Sequence, residues 1–323
     1  MEYRTLGKTG LEVSALGFGC GSVGGLMVRG EPKERVDTVA RAIELGITYF
    51  DTAPLYGNGT SEINLGTVLK EIGADVRIGT KVELSVSDME NIEQAVTESV
   101  NASLKRLGKE RVDLIQLHNR IDRGSRKEGR WIGLEELHSV IQAVQSLKAQ
   151  GKVGCCGITG LGDTEALHQA VDSNGLDTVQ ICYNLLNPSA GMRAPEGFPF
   201  QDYRQLLDRA SKAQKGILAI RILAAGALSG TPDRHPVAQQ SVAPISSSRD
   251  FDRDVERSKN YQFLVDDGYA GSLAEAAVRF AISKAEISTA LIGISSMEQL
   301  EQAVAYANKG SLPVEALDRL EKV

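Results

Sequence analysis

Ile47-Thr48-Tyr49-Phe50-Asp51-Thr52-Ala53-Pro54-Leu55-Tyr56-Gly57 is an apolar run that stops at an acid and turns at a proline. It reads as a buried strand, 47–51, that ends in a loop. The loop sets a carboxylate, Asp51, and a phenol, Tyr56, five positions apart. A free tyrosine has a pKa of about 10, so Tyr56 needs a charged neighbour to exchange a proton near neutral pH.

Outward from this stretch, strand and helix alternate. Upstream, residues 2–13 alternate around Gly7-Lys8-Thr9-Gly10 as a β-hairpin, and a short apolar strand, 14–20, runs into Gly-rich sequence. Helical periodicity covers 32–45, with Val36, Val39, Ala40 and Ile43 on one face. Downstream come helix 60–71, strand 76–81, and a long helix that opens at Ser87-Asp88-Met89-Glu90 and runs to about 107. Strand 112–118, a charged loop 120–130, helix 133–149, strand 154–159, helix 163–173 and strand 178–183 follow. Helix 201–214, strand 217–223, helices 255–267 and 272–284, strand 290–294 and helix 296–307 complete the chain. A polar stretch, 230–254, with Pro232, Pro236, Pro244 and Ser246-Ser247-Ser248, reads as a mobile loop.

Eight near-continuous apolar strands, most followed by a helix, describe a parallel sheet buried on both faces. Eight such units in one chain predict a (β/α)8 TIM barrel with an N-terminal β-hairpin, residues 1–323 forming a single domain. The rival, a doubly wound sheet, would show Gly-x-Gly-x-x-Gly after its first strand. Gly17, Gly19 and Gly21 lack that spacing.

The totals narrow the function. The chain has 323 residues, 42% hydrophobic and 24% charged, within the ordinary globular range. A formal charge of −6 argues against nucleic acid or an anionic membrane as the main partner. No apolar run approaches the roughly 20 residues of a membrane span. Met1-Glu2-Tyr3-Arg4 does not begin a signal peptide, and a cytoplasmic location is expected. Cys20, Cys155, Cys156 and Cys182 read as reduced core residues without metal-ligand spacing, so no metal is expected.

In a barrel, chemistry sits at the C-terminal strand ends. Those ends carry Asp51 with Tyr56, Lys81, His118, Thr159, Gln180 and Arg221. Each of the first four has an ordinary reading when taken singly: turn cap, loop aromatic, edge charge, satisfied core histidine. Together at successive strand ends they make an acid–base unit for a carbonyl/alcohol pair. Lys81 favours phenolate on Tyr56, Asp51 holds Lys81, and His118 hydrogen-bonds the carbonyl oxygen.

Over nearly its whole length the sequence resembles the aldo-keto reductase family. The resemblance rests on the opening 3–14, on Phe50-Asp51-Thr52-Ala53 with Tyr56-Gly57 and Ser61-Glu62, on Lys81, and on Val112-Asp113-Leu114-Ile115-Gln116-Leu117-His118. It implies an oxidoreductase that binds NADP(H) or NAD(H) extended across the barrel mouth and acts on an aldehyde, ketone or sugar. It implies Tyr56 as proton donor, tuned by Lys81 and Asp51, with His118 orienting the carbonyl. Gln180 matches the family glutamine at the nicotinamide carboxamide; its other reading is a polar barrel-interior residue. A cofactor-sensing regulatory subunit of the same fold is the alternative to an enzyme, disfavoured here by the lack of a long N-terminal extension.

Three places depart from the family pattern. Thr159-Gly160 stands where Ser-Asn is common, keeping a hydroxyl but losing an amide. In Ile220-Arg221-Ile222-Leu223, Ile220 replaces an aromatic ring. Arg221 reaches either a cofactor phosphate, an anionic substrate or a structural partner, and Leu223 lies on the same cofactor-binding segment. The segment 293–303 looks like the family's adenosine segment, which would supply Gly293, Ser295, Ser296 and Gln299, with Ala303 at its end and no cation, so the choice between NADP and NAD stays open; its other reading is a Ser-capped surface helix. Substrate preference falls to loops 22–31, 120–131, 185–200 and 224–254. Trp131 either lines the pocket or packs a helix start. Oligomeric state is not written in the sequence.

Overall fold

The computed structural model describes residues 1–124 and 130–321. Eight strands close into a parallel barrel in the order β3 (Leu16–Gly19), β4 (Tyr49–Asp51), β5 (Arg77–Val82), β6 (Val112–Leu117), β9 (Val153–Thr159), β10 (Thr178–Cys182), β11 (Gly216–Ile220) and β12 (Ile287–Gly293), which pairs back to β3. The antiparallel hairpin is β1 (Tyr3–Thr5) with β2 (Glu12–Ser14). A two-residue pair, β7 (Arg120–Ile121) with β8 (Trp131–Ile132), borders the barrel mouth.

Two apolar cores hold this arrangement. The larger lies between barrel and helices and includes Phe18 stacked on Phe50 at 5.1 Å. The smaller fills the barrel's lower end: Tyr49, Leu114, Cys155, Leu218 and Leu291, closed from below by Leu6 and Val13 of the hairpin segment. Side chains alternate faces along a strand, so the next inward position up each strand belongs to the same row. Above Tyr49 stands Asp51, above Leu114 Gln116 and then His118, above Cys155 Gly157 and then Thr159. The hairpin plug and the polar layer are thus consecutive layers of one interior. All four cysteines are buried and free.

Some boundaries move from their predicted places. The helix expected from Ser87 starts at Ile92: Ser87–Glu90 is a separate 3-10 turn, and Asn91, with φ −150°, breaks the path and caps Gln94 N at 3.2 Å. Helix 201–214 shortens to Leu206–Lys212 because Arg204 and Gln205 are left-handed. Strand 217–223 ends at Ile220, since Arg221 adopts φ 58°. Helix 255–267 begins earlier, at Phe251, under an Asp250 cap, and is interrupted at Lys259–Tyr261.

The stretch 230–254 is tied down across the mouth instead of hanging free. Gln239 N donates to Val23 O at 3.2 Å, and the Arg29 guanidinium donates to Val237 O at 2.7 Å. Residues 125–129 of the predicted 120–131 loop lie outside the described residues.

Candidate active site

At the mouth a cleft of about 710 Å³ runs from Asp51, Tyr56 and His118 past Thr159, Gln180 and Ile220 to Ser295, Gln299 and Tyr306. That is within the size range of small-molecule sites. Its acid–base end is organised by Asp51. Lys81 Nζ donates to Asp51 Oδ1 at 2.5 Å and to Thr52 O at 2.8 Å. Three donors reach Oδ2: Gln180 Nε2 at 2.8 Å, Gln116 Nε2 at 3.2 Å and Tyr49 OH at 3.4 Å.

Tyr56 sits above this pair. Its ring centre is 4.7 Å from Lys81 Nζ, and the His118 ring meets it edge-on at 5.9 Å. Local bonds fix the loop: Tyr56 N donates to Ala53 O at 3.1 Å, and Ser61 N donates to Tyr56 O at 3.2 Å. The Ser61 hydroxyl is shared between Thr52 Oγ1 at 2.8 Å and Cys20 O at 2.9 Å, tying the helix start to β3 and β4. His118 follows β6 directly, its N–H donating to Val82 O at 2.7 Å.

The electrostatics favour a protonated phenol beside a charged lysine. Burial pushes the Tyr56 phenol above its ordinary value, while the Lys81 charge pulls it down. The expected pull from Lys81 is present, but burial outweighs it, so the phenol keeps its proton. Burial works against the Lys81 ammonium, yet the Asp51 charge and hydrogen bond outweigh it and hold the ammonium well above a free lysine. Burial raises Asp51 too, opposed first by Lys81. Burial, then the Lys81 charge, pushes His118 down to about 3, so it is a neutral imidazole at physiological pH.

The remaining predicted positions divide. Thr159 lines the cleft and its hydroxyl donates to Leu117 O at 3.1 Å. The missing amide at Gly160 has a steric cause: a Cβ there would stand 2.4 Å from Gln180 O. Arg221, Leu223, Gly293, Ser295 and Gln299 all line the cleft. Ser295 is committed to structure, its hydroxyl donating to Gly24 O at 2.6 Å. Ser296 is not among the lining residues; its hydroxyl caps Gln299 N at 3.3 Å at the start of helix Met297–Asn308. Trp131 takes the second of its two readings, packed beneath the Arg120 guanidinium at 5.6 Å near the start of helix Leu134–Ala149, outside the cleft lining.

Four contributors were not singled out from sequence: Tyr49, Gln116, Arg234 and Tyr306. The signal for the first two was available. Tyr49 lies two residues before Asp51 and Gln116 two before His118, each on the same inward row. Arg234 carries no such signal, since it enters the cleft from the polar 230–254 stretch.

A closed parallel barrel with a carboxylate, an ammonium, a phenol and a neutral imidazole converging at its mouth has the make-up of an oxidoreductase of carbonyl and alcohol groups. Residues 15–323 match the Aldo/keto reductase family, and the chain belongs to it. The L-galactose dehydrogenase of Arabidopsis thaliana is 30% identical over 315 residues, 94% of this chain and 88% of that one. The D-threo-aldose 1-dehydrogenase of a Pseudomonas species is 27% identical over 326 residues, 92% of this chain and 90% of that one. Among solved structures, the holo form of the aldo-keto reductase AKR11C1 from Bacillus halodurans shares the fold, with a TM-score of 0.72 over 100% of this chain and 96% of that one, at 23% identity. Among the described residues, no helix is long and apolar enough to cross a membrane.

Proposed function

We propose that this oxidoreductase interconverts the carbonyl and alcohol forms of a sugar or similar small molecule, with NAD(H) or NADP(H) as redox partner and Tyr56 as proton donor. The observation that carries the reading is the buried Asp51–Lys81 pair set against the Tyr56 ring, with neutral His118 at its edge. A substrate oxygen placed between Tyr56 and His118 receives a proton from the phenol and a hydrogen bond from the imidazole. Lys81 stabilises the phenolate left behind, and Asp51 keeps Lys81 charged and in place. The sugar dehydrogenases among the relatives point to the substrate class.

The cleft's chemistry fits a dinucleotide, which when bound supplies or accepts the hydride. Gln180 turns its Nε2 to Asp51, so its carbonyl oxygen is left for an N–H donor such as a carboxamide. Thr159 stands beside it, and Ile220 offers an apolar surface for a flat ring. Arg221 and Arg234 both line the cleft, and neither has a carboxylate partner among the described residues. Their guanidiniums donate to the carbonyls of Ala243, Ala225 and Gln239. Burial lowers both pKa values, and the charge of Arg221 acts on Arg234. Two cations that line one cleft without a carboxylate partner suit a diphosphate. Leu223, Gly293, Ser295 and Gln299 would then border its adenosine end, with Ser296 next in the chain as the cap of helix Met297–Asn308.

The test is direct: nicotinamide absorbance is followed with NADH, NADPH and their oxidised forms against a panel of aldoses, aldehydes and ketones. Turnover with at least one pair is expected, and its complete absence with every pair would overturn the reading. For Arg221→Ala, loss of a charge-assisted contact of about 1.5–3 kcal/mol predicts dinucleotide binding weaker by roughly 10- to 100-fold in a fluorescence titration. An unchanged Kd beside a raised KM for acidic substrates would instead assign Arg221 to the substrate.

A further inference from the structure

We propose that Gln116 is a positioning residue of the acid–base centre, holding Asp51 Oδ2 from below so that Oδ1 faces Lys81; this rests on the reading of Tyr56, Lys81 and Asp51 given above. Gln116 is fully buried on β6 and touches neither cleft nor solvent. Its Nε2 lies 3.2 Å from Asp51 Oδ2, and its Oε1 is buried with no partner among the described residues. A carboxylate only accepts hydrogen bonds, so the amide must point its nitrogen at Asp51 even though this leaves the oxygen unpaired. A buried polar atom left unsatisfied is costly and is kept where it serves a purpose.

The neighbouring strands make room for this arrangement. A Cβ on Gly157 would come within 3.1 Å of Gln116 Cγ and 2.2 Å of Thr178 Oγ1. A Cβ on Gly79 would lie 2.0 Å from the hydroxyl of Tyr49, the other donor beneath Asp51. Glycines on β9 and β5 thus clear the two spaces these donors occupy.

The arrangement has a purpose that Gln180 cannot serve alone. Gln180 reaches the same Oδ2 at 2.8 Å, but it also lines the cleft and faces whatever binds there. Gln116 sits one layer deeper and keeps its bond to Asp51 whatever the cleft holds. Asp51 therefore stays aligned on Lys81, and Lys81 on Tyr56, throughout a turnover cycle.

The experiment uses the full chain with Gln116→Leu, an apolar replacement of similar size, and Gln116→Glu, its isostere. For Gln116→Leu, kcat is expected to fall about 10-fold, in line with one lost hydrogen bond to a charged group. KM and dinucleotide Kd are expected to stay within about two-fold, because no contact with either ligand is removed. Carboxyl 13C NMR of aspartate-labelled protein, with the Asp51 signal assigned by its loss in Asp51→Asn, gives a reading independent of turnover. Its titration midpoint is expected at higher pH in Gln116→Leu than in the parent. Gln116→Glu is expected to work best at acid pH, where its protonated carboxyl can still donate to Asp51, and to lose activity as pH rises. An Asp51 midpoint unmoved in both variants would overturn the role, as would a kcat loss matched by an equal rise in KM. A parent chain without turnover would overturn the enzymatic reading, while the NMR titration still decides the hydrogen bond. If Gln116→Leu does not fold, Gln116→Glu carries the test.

Discussion

Tyr56→Phe is expected to lower kcat/KM about 10²- to 10⁴-fold, the span usual for loss of a general acid. The substitution removes one hydroxyl and keeps the ring that packs against Lys81 and His118, so fold and binding should persist. Dinucleotide Kd in the variant should match the parent by fluorescence titration, which separates loss of proton transfer from loss of the site. Activity equal to the parent would sink the proton-donor role of Tyr56 while leaving the rest of the cleft open to another donor, His118 first. His118 is the weaker choice because burial and the Lys81 charge keep it neutral and reluctant to take a proton.

Lys81→Met should abolish activity and also weaken the fold. The Lys81 side chain is 1% exposed and its partner Asp51 5% exposed, so removing the ammonium strands a carboxylate in the barrel. Breaking such a pair costs about 3–5 kcal/mol. The loss carries a definite pH signature. Burial already raises Asp51 above its ordinary pKa, and Lys81 is the first group that opposes the shift. Without Lys81 the folded-state pKa of Asp51 rises further above its unfolded value. The folded protein then holds a proton that the unfolded chain has released, so stability falls as pH rises through that window. Denaturant midpoints at pH 5 and pH 8 should show the variant closer to the parent at pH 5. An equal deficit at both would place the loss in packing instead of the stranded charge.

The barrel was legible because its strands are apolar throughout and evenly spaced, which is what burial on both faces imposes. Asp51, Tyr56, Lys81 and His118 stood out because each lies at or just beyond the C-terminal end of a strand, Tyr56 in the loop that follows β4. Other features depend on contacts that sequence spacing does not encode. The bond between Val23 and Gln239 joins residues more than two hundred positions apart, so the 230–254 stretch read as free. Arg221 read as a strand residue, but its left-handed backbone ends β11 one position earlier. That turn is held by Asn184 Nδ2, which donates to Arg221 O at 2.9 Å. For Ser295 and Ser296 the sequence leaves two readings, cofactor contact or helix cap, because a hydroxyl serves a ligand or a backbone amide equally well. In the folded chain Ser295 lines the cleft while donating to Gly24 O, and Ser296 caps Gln299 N.

The plug of Leu6 and Val13 beneath the barrel has a consequence for traffic through the enzyme. A tube stoppered with hydrocarbon has one door. Reactant and product must both pass through the mouth, where the 230–254 stretch already spans part of the opening. Departure of one molecule and arrival of the next therefore compete for the same passage.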